Sequence, residues 1–212
     1  MKEAKDLKNL IHSHPDLLGL NVTIPYKTAV IPYLDQLDKT ASKIGAVNCI
    51  AIENETGKKI LRGFNTDVYG FRESLLPLLK KHHKNALIIG TGGSSKAVSF
   101  ILNEINIPHL FISRNPQGDN ETGYTKLEEL IASHQVIINC TPVGMYPNIR
   151  DFPDIPYELL TKDHLLFDLI YNPPEPAFLK IGKRYGASVQ NGSEMFRFQA
   201  LKSWDIWTSI NR

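Results

Sequence analysis

Ala86-Leu87-Ile88-Ile89-Gly90-Thr91-Gly92-Gly93-Ser94-Ser95-Lys96-Ala97 holds four consecutive apolar residues, a glycine-rich turn and the opening of a helix. An apolar run of this length between polar flanks reads as a strand buried on both faces. Gly90 lets the chain turn tightly at the strand end, and Gly92 permits close approach of a phosphate to the backbone. The helix that follows, to about residue 106, presents free N–H groups and a positive dipole end to an anion. The third glycine of a G-x-G-x-x-G pattern is replaced by Ser95, so the fingerprint is imperfect. Many βα turns also contain glycine for geometry alone. The strand before the turn and the helix after it favour dinucleotide binding.

Downstream the pattern alternates. Strands are expected at 109–113, 136–140, 165–170 and 187–190, and helices at 125–133, 176–185 and from 193 towards 209. Short buried strands alternating with helices imply a parallel sheet covered on both faces. The strand after the glycine turn ends Phe111-Ile112-Ser113-Arg114-Asn115. An NAD enzyme usually carries Asp or Glu there for the ribose 2′-hydroxyl. Arg114 suits a 2′-phosphate instead, so position and chemistry favour NADP over NAD. The plainer reading of Arg114 is a surface residue at a loop start.

Upstream, the polar run Lys80-Lys81-His82-His83-Lys84-Asn85 is the best candidate for a domain boundary. Before it, helices are expected at 3–13, from 26 to about 32, at 35–44 and at 67–80. A strand at 18–24 is stopped by Pro25. Two apolar runs, 46–52 and 59–64, flank Asn54-Glu55-Thr56-Gly57, a hairpin signature.

The chain has 212 residues, 42% hydrophobic and 22% charged, which is ordinary globular composition and excludes collagen, coiled coil and disorder. Lys and Arg number 24 against 22 Asp and Glu, leaving +2, too balanced to direct the chain to nucleic acid or a membrane surface. No apolar run has the length of a membrane span, and the first residues do not read as a signal peptide. The two cysteines, Cys49 and Cys140, lie far apart, so neither a disulfide framework nor a CxxC metal site is expected. Cys140 ends an apolar strand, which argues for a buried thiol rather than a nucleophile. The seven histidines are scattered, and no metal site is expected. The expected setting is reducing and cytoplasmic.

Catalytic candidates stand at strand ends, where ligand crevices form in α/β sheets. Asn21-Val22-Thr23-Ile24-Pro25-Tyr26-Lys27 closes one strand and places Lys27 on the turn. Taken alone, a lysine opening a helix is commonly a solvated side chain. Arg62-Gly63-Phe64-Asn65-Thr66-Asp67 closes another strand. Asp67 read plainly is part of a helix cap. Read functionally, it is a carboxylate beside Lys27, and a Lys–Asp pair can move a proton at a carbinol carbon next to a hydride donor. Asn48 and Gln199 are neutral donor–acceptor side chains suited to sugar-like hydroxyls, or equally structural amides.

Taken together, these motifs resemble those of shikimate dehydrogenase, the NADP-dependent enzyme of aromatic amino-acid and chorismate biosynthesis. The matching stretches are NVTIPYK (21–27), GAVNC (45–49), GFNTD (63–67), GTGGSSKA (90–97), SRN (113–115), NCTPVGMYP (139–147), DLIYNP (168–173) and NGSEMFRFQA (191–200). They cover nearly the whole chain, in the family's order and spacing.

The resemblance implies an α/β fold: a Rossmann-like NADP-binding domain plus a smaller α/β substrate domain. It places the substrate domain in 1–81, the NADP domain in 82–192, and in 193–212 a C-terminal helix packing back on the substrate domain. It implies reversible reduction of 3-dehydroshikimate to shikimate by NADPH, with Lys27 and Asp67 as the acid–base pair. Thr23, Asn48, Asp67 and Gln199 match positions that hold substrate hydroxyls, with Tyr171 at the same cleft. Gly90, Gly92, Gly93, Ser94 and Ser95 match the phosphate loop. Ser113, Arg114 and Asn115 match the turn around the 2′-phosphate. Thr141, Val143, Gly192 and Met195 match the nicotinamide pocket.

One departure stands out. Family members open with a βαβ unit carrying serines that grip the substrate carboxylate, and nothing here matches it. By analogy roughly 40 residues are absent, about one such unit. The expected consequences are an uncovered sheet edge and a half-built cleft. Two alternatives therefore accompany the dehydrogenase reading: a non-catalytic NADP-binding relative, and a quinate/shikimate enzyme with relaxed cofactor choice. The expected partners are a small-molecule substrate only, with no nucleic acid or membrane, in a monomer or homodimer.

Overall fold

A computed structural model describes residues 3–55 and 57–210. Thr56, in the expected hairpin turn, lies outside the described residues, as do residues 1–2 and 211–212 at the two ends of the segments assigned above.

The first half builds a four-stranded sheet from β1 (Gly19–Asn21), β2 (Gln36–Leu37), β3 (Cys49–Glu55) and β4 (Lys58–Phe64), in the order β1-β3-β4-β2. Helices α1 (Leu7–Ser13), α2 (Tyr26–Ala29), α3 (Lys39–Ile44) and α4 (Asp67–Leu75) accompany it. β1 and β4 run antiparallel to β3, and β2 runs parallel to β4.

Two expectations change here. The expected helix at 35–44 begins only at Lys39. Before it, the Asp35 carboxylate accepts from Leu61 N (2.8 Å) and Asp38 N donates to the Gly63 carbonyl, which ties Gln36–Leu37 to β4 as a strand. Asp38 then caps α3 by accepting from Ala41 N (2.8 Å) and Thr40 N (3.1 Å). The expected helix at 67–80 stops at Leu75 and tightens into a 3₁₀ turn, Leu76–Leu78, at Pro77.

The second half is a six-stranded parallel sheet. Its strands are β5 (Ala86–Ile89), β6 (His109–Ile112), β7 (Glu121–Thr122), β8 (Val136–Asn139), β9 (Leu165–Asp168) and β10 (Ser188–Gln190). The order is β10-β9-β8-β5-β6-β7, every pair parallel. Counted within this unit it is the 3-2-1-4-5-6 order of a Rossmann-like sheet, whose switch point falls between β5 and β8. Its helices are α5 (Gly93–Glu104), α6 (Leu127–Leu130) and α7 (Ala177–Arg184), and α8 (Ser193–Ile210) closes the described chain. The expected helix at 125–133 is α-helical only at α6 and is flanked by 3₁₀ turns. β7 has no counterpart in the sequence reading, because a two-residue polar edge strand carries no periodic signal.

Alternate residues of the parallel strands point to opposite faces. Ala86, Ile88, Ile138 and Phe167 pack with Val98, Ile101 and Leu102 of α5. Phe71 and Leu75 of α4 join this same cluster, and the Phe71 and Phe167 rings meet edge to face at 5.3 Å. Leu87, Ile89, Ile137 and Leu166 pack on the other side with Leu127, Phe178 and Leu179. α4 therefore starts at the first sheet and ends in the core of the second.

α8 packs on α4 and β3, and Trp207 Nε1 donates to the Ile50 carbonyl (3.0 Å). A Cβ at Gly70 would stand 2.5 Å from the Met195 carbonyl oxygen, so the α4–α8 approach depends on glycine there. The boundary run is less polar in place than on paper. His83 is buried; its Nδ1 accepts from Lys80 N and its Nε2 meets the Asp163 carbonyl, while burial lowers its pKa. Among the described residues no helix is long and apolar enough to cross a membrane, and no cluster of three or more His, Cys, Asp or Glu could hold a metal ion.

At the carboxyl ends of β8 and β9 a polar chain runs through the core. Asp168 Oδ1 accepts from Asn139 Nδ2 (3.1 Å) and Ile170 N (3.0 Å). Asn139 Oδ1 in turn accepts from Thr141 N (3.0 Å) and Thr141 Oγ1 (2.7 Å). Thr141 Oγ1 accepts from Val143 N (3.2 Å). Asp168 is fully buried and its Oδ2 has no hydrogen-bond partner among the described residues. Burial pushes its pKa from 3.8 up to about 7, against the opposing pull of its two hydrogen bonds.

The folded protein thus binds a proton at Asp168 more tightly than the unfolded chain does. This contribution to stability is full below about pH 4 and is lost as pH rises through about 7. Asp168→Asn removes the titration and leaves a pH-independent cost of about 1–3 kcal/mol for one unpaired amide donor. Thermal melts between pH 5 and 8 should show the parent losing stability relative to Asp168→Asn as pH rises. Parallel curves would refute the assignment.

Candidate active site

The carboxyl ends of β1, β4, β8 and β9 and the amino ends of α5 and α8 surround one cleft of about 470 Å³. Its walls include Thr23, Lys27, Asn48, Asp67, Ser94, Thr141, Tyr171, Gly192, Met195 and Gln199. Ten residues singled out from the sequence thus meet at one place.

Local structure explains how they arrive. After β1, Val22 N donates to the Asn48 carbonyl (2.8 Å) and Tyr26 N to the Thr23 carbonyl (2.9 Å), turning the chain into α2. Val47 N donates to the Lys27 carbonyl (2.7 Å), which fixes Lys27 beside the Gly45–Asn48 segment. Asn65 Nδ2 donates to the Ala46 carbonyl (2.9 Å), which holds the end of β4 against the same segment.

Lys27 Nζ donates to Asp67 Oδ2 at 2.7 Å, with side-chain exposures of 12% and 8%. The helix-cap reading of Asp67 does not hold: neither Thr66 nor Asp67 caps α4 through its side chain. The carboxylate faces Lys27 through one oxygen and accepts from Asn48 Nδ2 (2.9 Å) through the other. It also lies in the first turn of α4, where the helix dipole favours negative charge.

Asn48 is braced on both ends. Its Oδ1 accepts from Thr66 N (2.6 Å), and its Nδ2 is also within 2.9 Å of Thr66 Oγ1 and 3.3 Å of Gln199 Oε1. Thr66 Oγ1 meets Ser203 Oγ at 3.0 Å, and Gln199 Nε2 donates to the Phe196 carbonyl (3.0 Å). α8 thereby reaches the Lys27–Asp67 pair through buried amides and hydroxyls. Tyr171 stacks on Phe196, centroids 4.6 Å apart, at the rim.

The nucleotide side is also assembled. Gly90 has φ +99°, a conformation that favours glycine, and it follows β5 directly. A Cβ at Gly92 would meet nothing within 4 Å, so open space fronts the loop at the amino end of α5. Gly90 N donates to the Ile112 carbonyl (2.9 Å), which brings the end of β6 alongside. There Ser113 Oγ accepts from Asn115 N (3.2 Å), and Arg114 and Asn115 are exposed. Gly93 stands against the Lys27 stem, 3.5 Å from Cβ to Cβ for a residue with a side chain.

The two serines of the loop diverge. Ser95 is buried with its hydroxyl donated to the Gly92 carbonyl (2.6 Å), whereas Ser94 Oγ accepts from Lys27 Nζ (3.0 Å). Val143 is exposed beside the cleft rather than in its wall, its N–H on Thr141. Cys140 lies in the cleft wall as a free thiol, and burial raises its pKa, so it stays protonated.

Sequence reasoning missed several groups. Asn21, Ile24, Met145, Tyr146 and Phe196 line the cleft without having been assigned a role. All lie within motifs already quoted, so the signal was their place in those stretches. Asp168 lay in such a stretch as well, an acid closing an otherwise apolar strand. The Thr66–Ser203 contact had no local signal, because it joins residues 137 positions apart.

A family model described as the shikimate dehydrogenase substrate binding domain matches residues 2–50. The NADP-dependent shikimate dehydrogenase of Methanococcus vannielii is 42% identical, over 97% of this chain and 78% of its own length. Shikimate 5-dehydrogenase from Thermus thermophilus, solved with NADP(H) and shikimate, superposes with a TM-score of 0.81 at 30% identity, over 95% of this chain and 77% of that one. Quinate dehydrogenase from Corynebacterium glutamicum, solved with NAD, superposes at 0.83 with 28% identity, over 96% and 78%. With 42% identity across 97% of its length to such an enzyme, the chain belongs to the shikimate dehydrogenase family.

Proposed function

We propose that this chain catalyses the reversible, NADP-dependent reduction of 3-dehydroshikimate to shikimate. The observation that carries the reading is the Lys27–Asp67 pair, 2.7 Å apart, buried in a cleft to which the amino end of α5 contributes Ser94.

The residues present fit the nucleotide. The open backbone of Gly90, Gly92 and Gly93 and the amino end of α5 would take the pyrophosphate. Ser113, Arg114 and Asn115 would hold the 2′-phosphate, with no acidic residue among them to repel it. Thr141, Val143, Gly192 and Met195 would flank the nicotinamide. Bound there, NADPH supplies the hydride that reduces the substrate carbonyl carbon.

The protein's own part is proton transfer and orientation. As the carbonyl is reduced, Lys27 donates a proton to its oxygen, and Asp67 stabilises the ammonium that Lys27 regains. In the reverse direction the pair accepts the hydroxyl proton. Thr23, Asn48 and Gln199 orient the ring hydroxyls, with Tyr171 closing the rim. The apolar share of the wall, Leu169, Ile170 and Met195 among it, keeps water from the reacting carbon.

In domain terms, 1–81 carries the substrate side, 82–192 the nucleotide side, and 193–212 returns to the first. The packing of α8 on α4 and β3 supports this division. Every group named comes from one chain, consistent with a monomer or a homodimer. Both cysteines are free, which supports a reducing, cytoplasmic setting.

The direct test is NADPH absorbance on adding shikimate and NADP to the chain, with quinate and NAD in parallel. Turnover with shikimate and NADP is expected. NADP binding without any turnover would replace this reading with a binding-only relative. Lys27→Ala should lower kcat by about 10²–10⁴-fold, the usual weight of a general acid–base group, with NADP affinity retained. Arg114→Ala should raise KM for NADP by about tenfold or more and leave KM for NAD nearly unchanged, because only the 2′-phosphate loses a charged hydrogen bond. An equal rise for both nucleotides would remove Arg114 from that role.

A further inference from the structure

Lys27 sits on a four-residue helix, α2, and its ammonium rides on a flexible four-carbon stem. A single ion pair leaves such a group free to swing around its partner. Two fixed acceptors at different angles define the direction of the third N–H. Asp67 Oδ2 at 2.7 Å is one such acceptor, and the second is Ser94 Oγ at 3.0 Å. The two come from different segments of the chain: Asp67 opens α4 at the end of β4, and Ser94 lies in the first turn of α5 after β5.

We propose that Ser94 is a positioning residue for Lys27, its hydroxyl tying the nucleotide loop to the proton-transfer pair so that the ammonium points into the cleft. The inference rests on the reading of Lys27 as the proton-transfer group. It goes beyond the phosphate-loop role that the sequence resemblance gave Ser94, because that role is met by backbone N–H groups. The side chain is free for a separate task.

Three observations support the division of labour. The adjacent hydroxyl of Ser95 is turned inward onto the Gly92 carbonyl, so only Ser94 offers a hydroxyl to the cleft from this turn. A Cβ added at Gly93 would already touch the Lys27 stem at 3.5 Å, so the loop and the lysine run close together. A hydroxyl is a neutral acceptor, so it orients the ammonium without competing with Asp67 for its charge. Because the contact joins α2 of the first half to the loop after β5, the direction of the Lys27 N–H depends on how closely these two segments approach.

The test compares the intact chain with Ser94→Ala and Ser94→Thr. With saturating shikimate and NADP, Ser94→Ala should lower kcat by about tenfold, the scale of a modest misplacement of a reacting group. KM for shikimate and Kd for NADP should stay within about twofold, and Ser94→Thr, which keeps the hydroxyl, should restore kcat. A second readout needs no turnover: the rate of reductive methylation at Lys27, followed by peptide mass spectrometry. It should rise several-fold in Ser94→Ala and return to the parent rate in Ser94→Thr. Weaker NADP binding with unchanged kcat at saturation would show the hydroxyl serving the nucleotide and would overturn the proposal. So would a parent-like kcat together with a parent-like labelling rate. If the parent chain itself shows no turnover, the dehydrogenase reading fails and labelling decides alone: faster labelling in Ser94→Ala sustains the contact, and equal rates reject it.

Discussion

A lysine and an aspartate held 2.7 Å apart, both nearly withdrawn from water, are costly to build. Removing two charges from water can outweigh their mutual attraction unless further hydrogen bonds satisfy both ions. Much of the surrounding architecture supplies those bonds. Asn48 serves the second carboxylate oxygen, Ser94 serves the ammonium, and the amino end of α4 adds its dipole. Asn48 is in turn fixed by Thr66, and Thr66 by Ser203 on the last helix. The pair therefore draws on the first sheet, the glycine loop and α8 at once. That dependence accounts for the crossing of polar contacts between segments so distant in the chain.

Sequence pattern disclosed the parallel sheet well, because its strands are buried on both faces and read as unbroken apolar runs: Ala86–Ile89, Val136–Asn139 and Leu165–Asp168 all fall where expected. It failed where a strand is defined by one tether rather than by a pattern. Gln36–Leu37 is a strand because Asp35 and Asp38 bond to β4, and nothing in the two residues themselves announces it. The same contrast holds in the site. Lys27 and Asp67 were legible from their places at strand ends and from the family resemblance. Ser94 was placed in the phosphate loop by the family resemblance, and its hydroxyl faces the lysine. A side chain's direction within a turn depends on what packs opposite, which no local motif encodes.

Asp168 illustrates a different limit. A carboxyl group with one hydrogen-bonded oxygen and one without a partner among the described residues is an unusual thing to bury, yet it orders the turn that carries Thr141 and Val143 through Asn139. Its cost and its use are of the same origin. Burial opposes its charge, while the hydrogen bonds that its Oδ1 accepts from Asn139 and Ile170 pull the other way.

The placement of α4 and α8 has a consequence for how the molecule comes into being. Phe71 and Leu75 lie in the core of the parallel sheet, while Trp207 anchors to Ile50 in the first. The first half thus lends hydrophobic surface to the core of the second, whereas the first sheet's own core, Leu7, Ile11, Val30, Ala41, Ile50 and Leu61 among it, comes from its own segment of chain. During synthesis the first sheet leaves the ribosome well before the helix that covers it. The contact of β3 with Trp207 forms only once the final turns of α8 emerge. A strand in the first half of the described residues is thus fastened by their last helix.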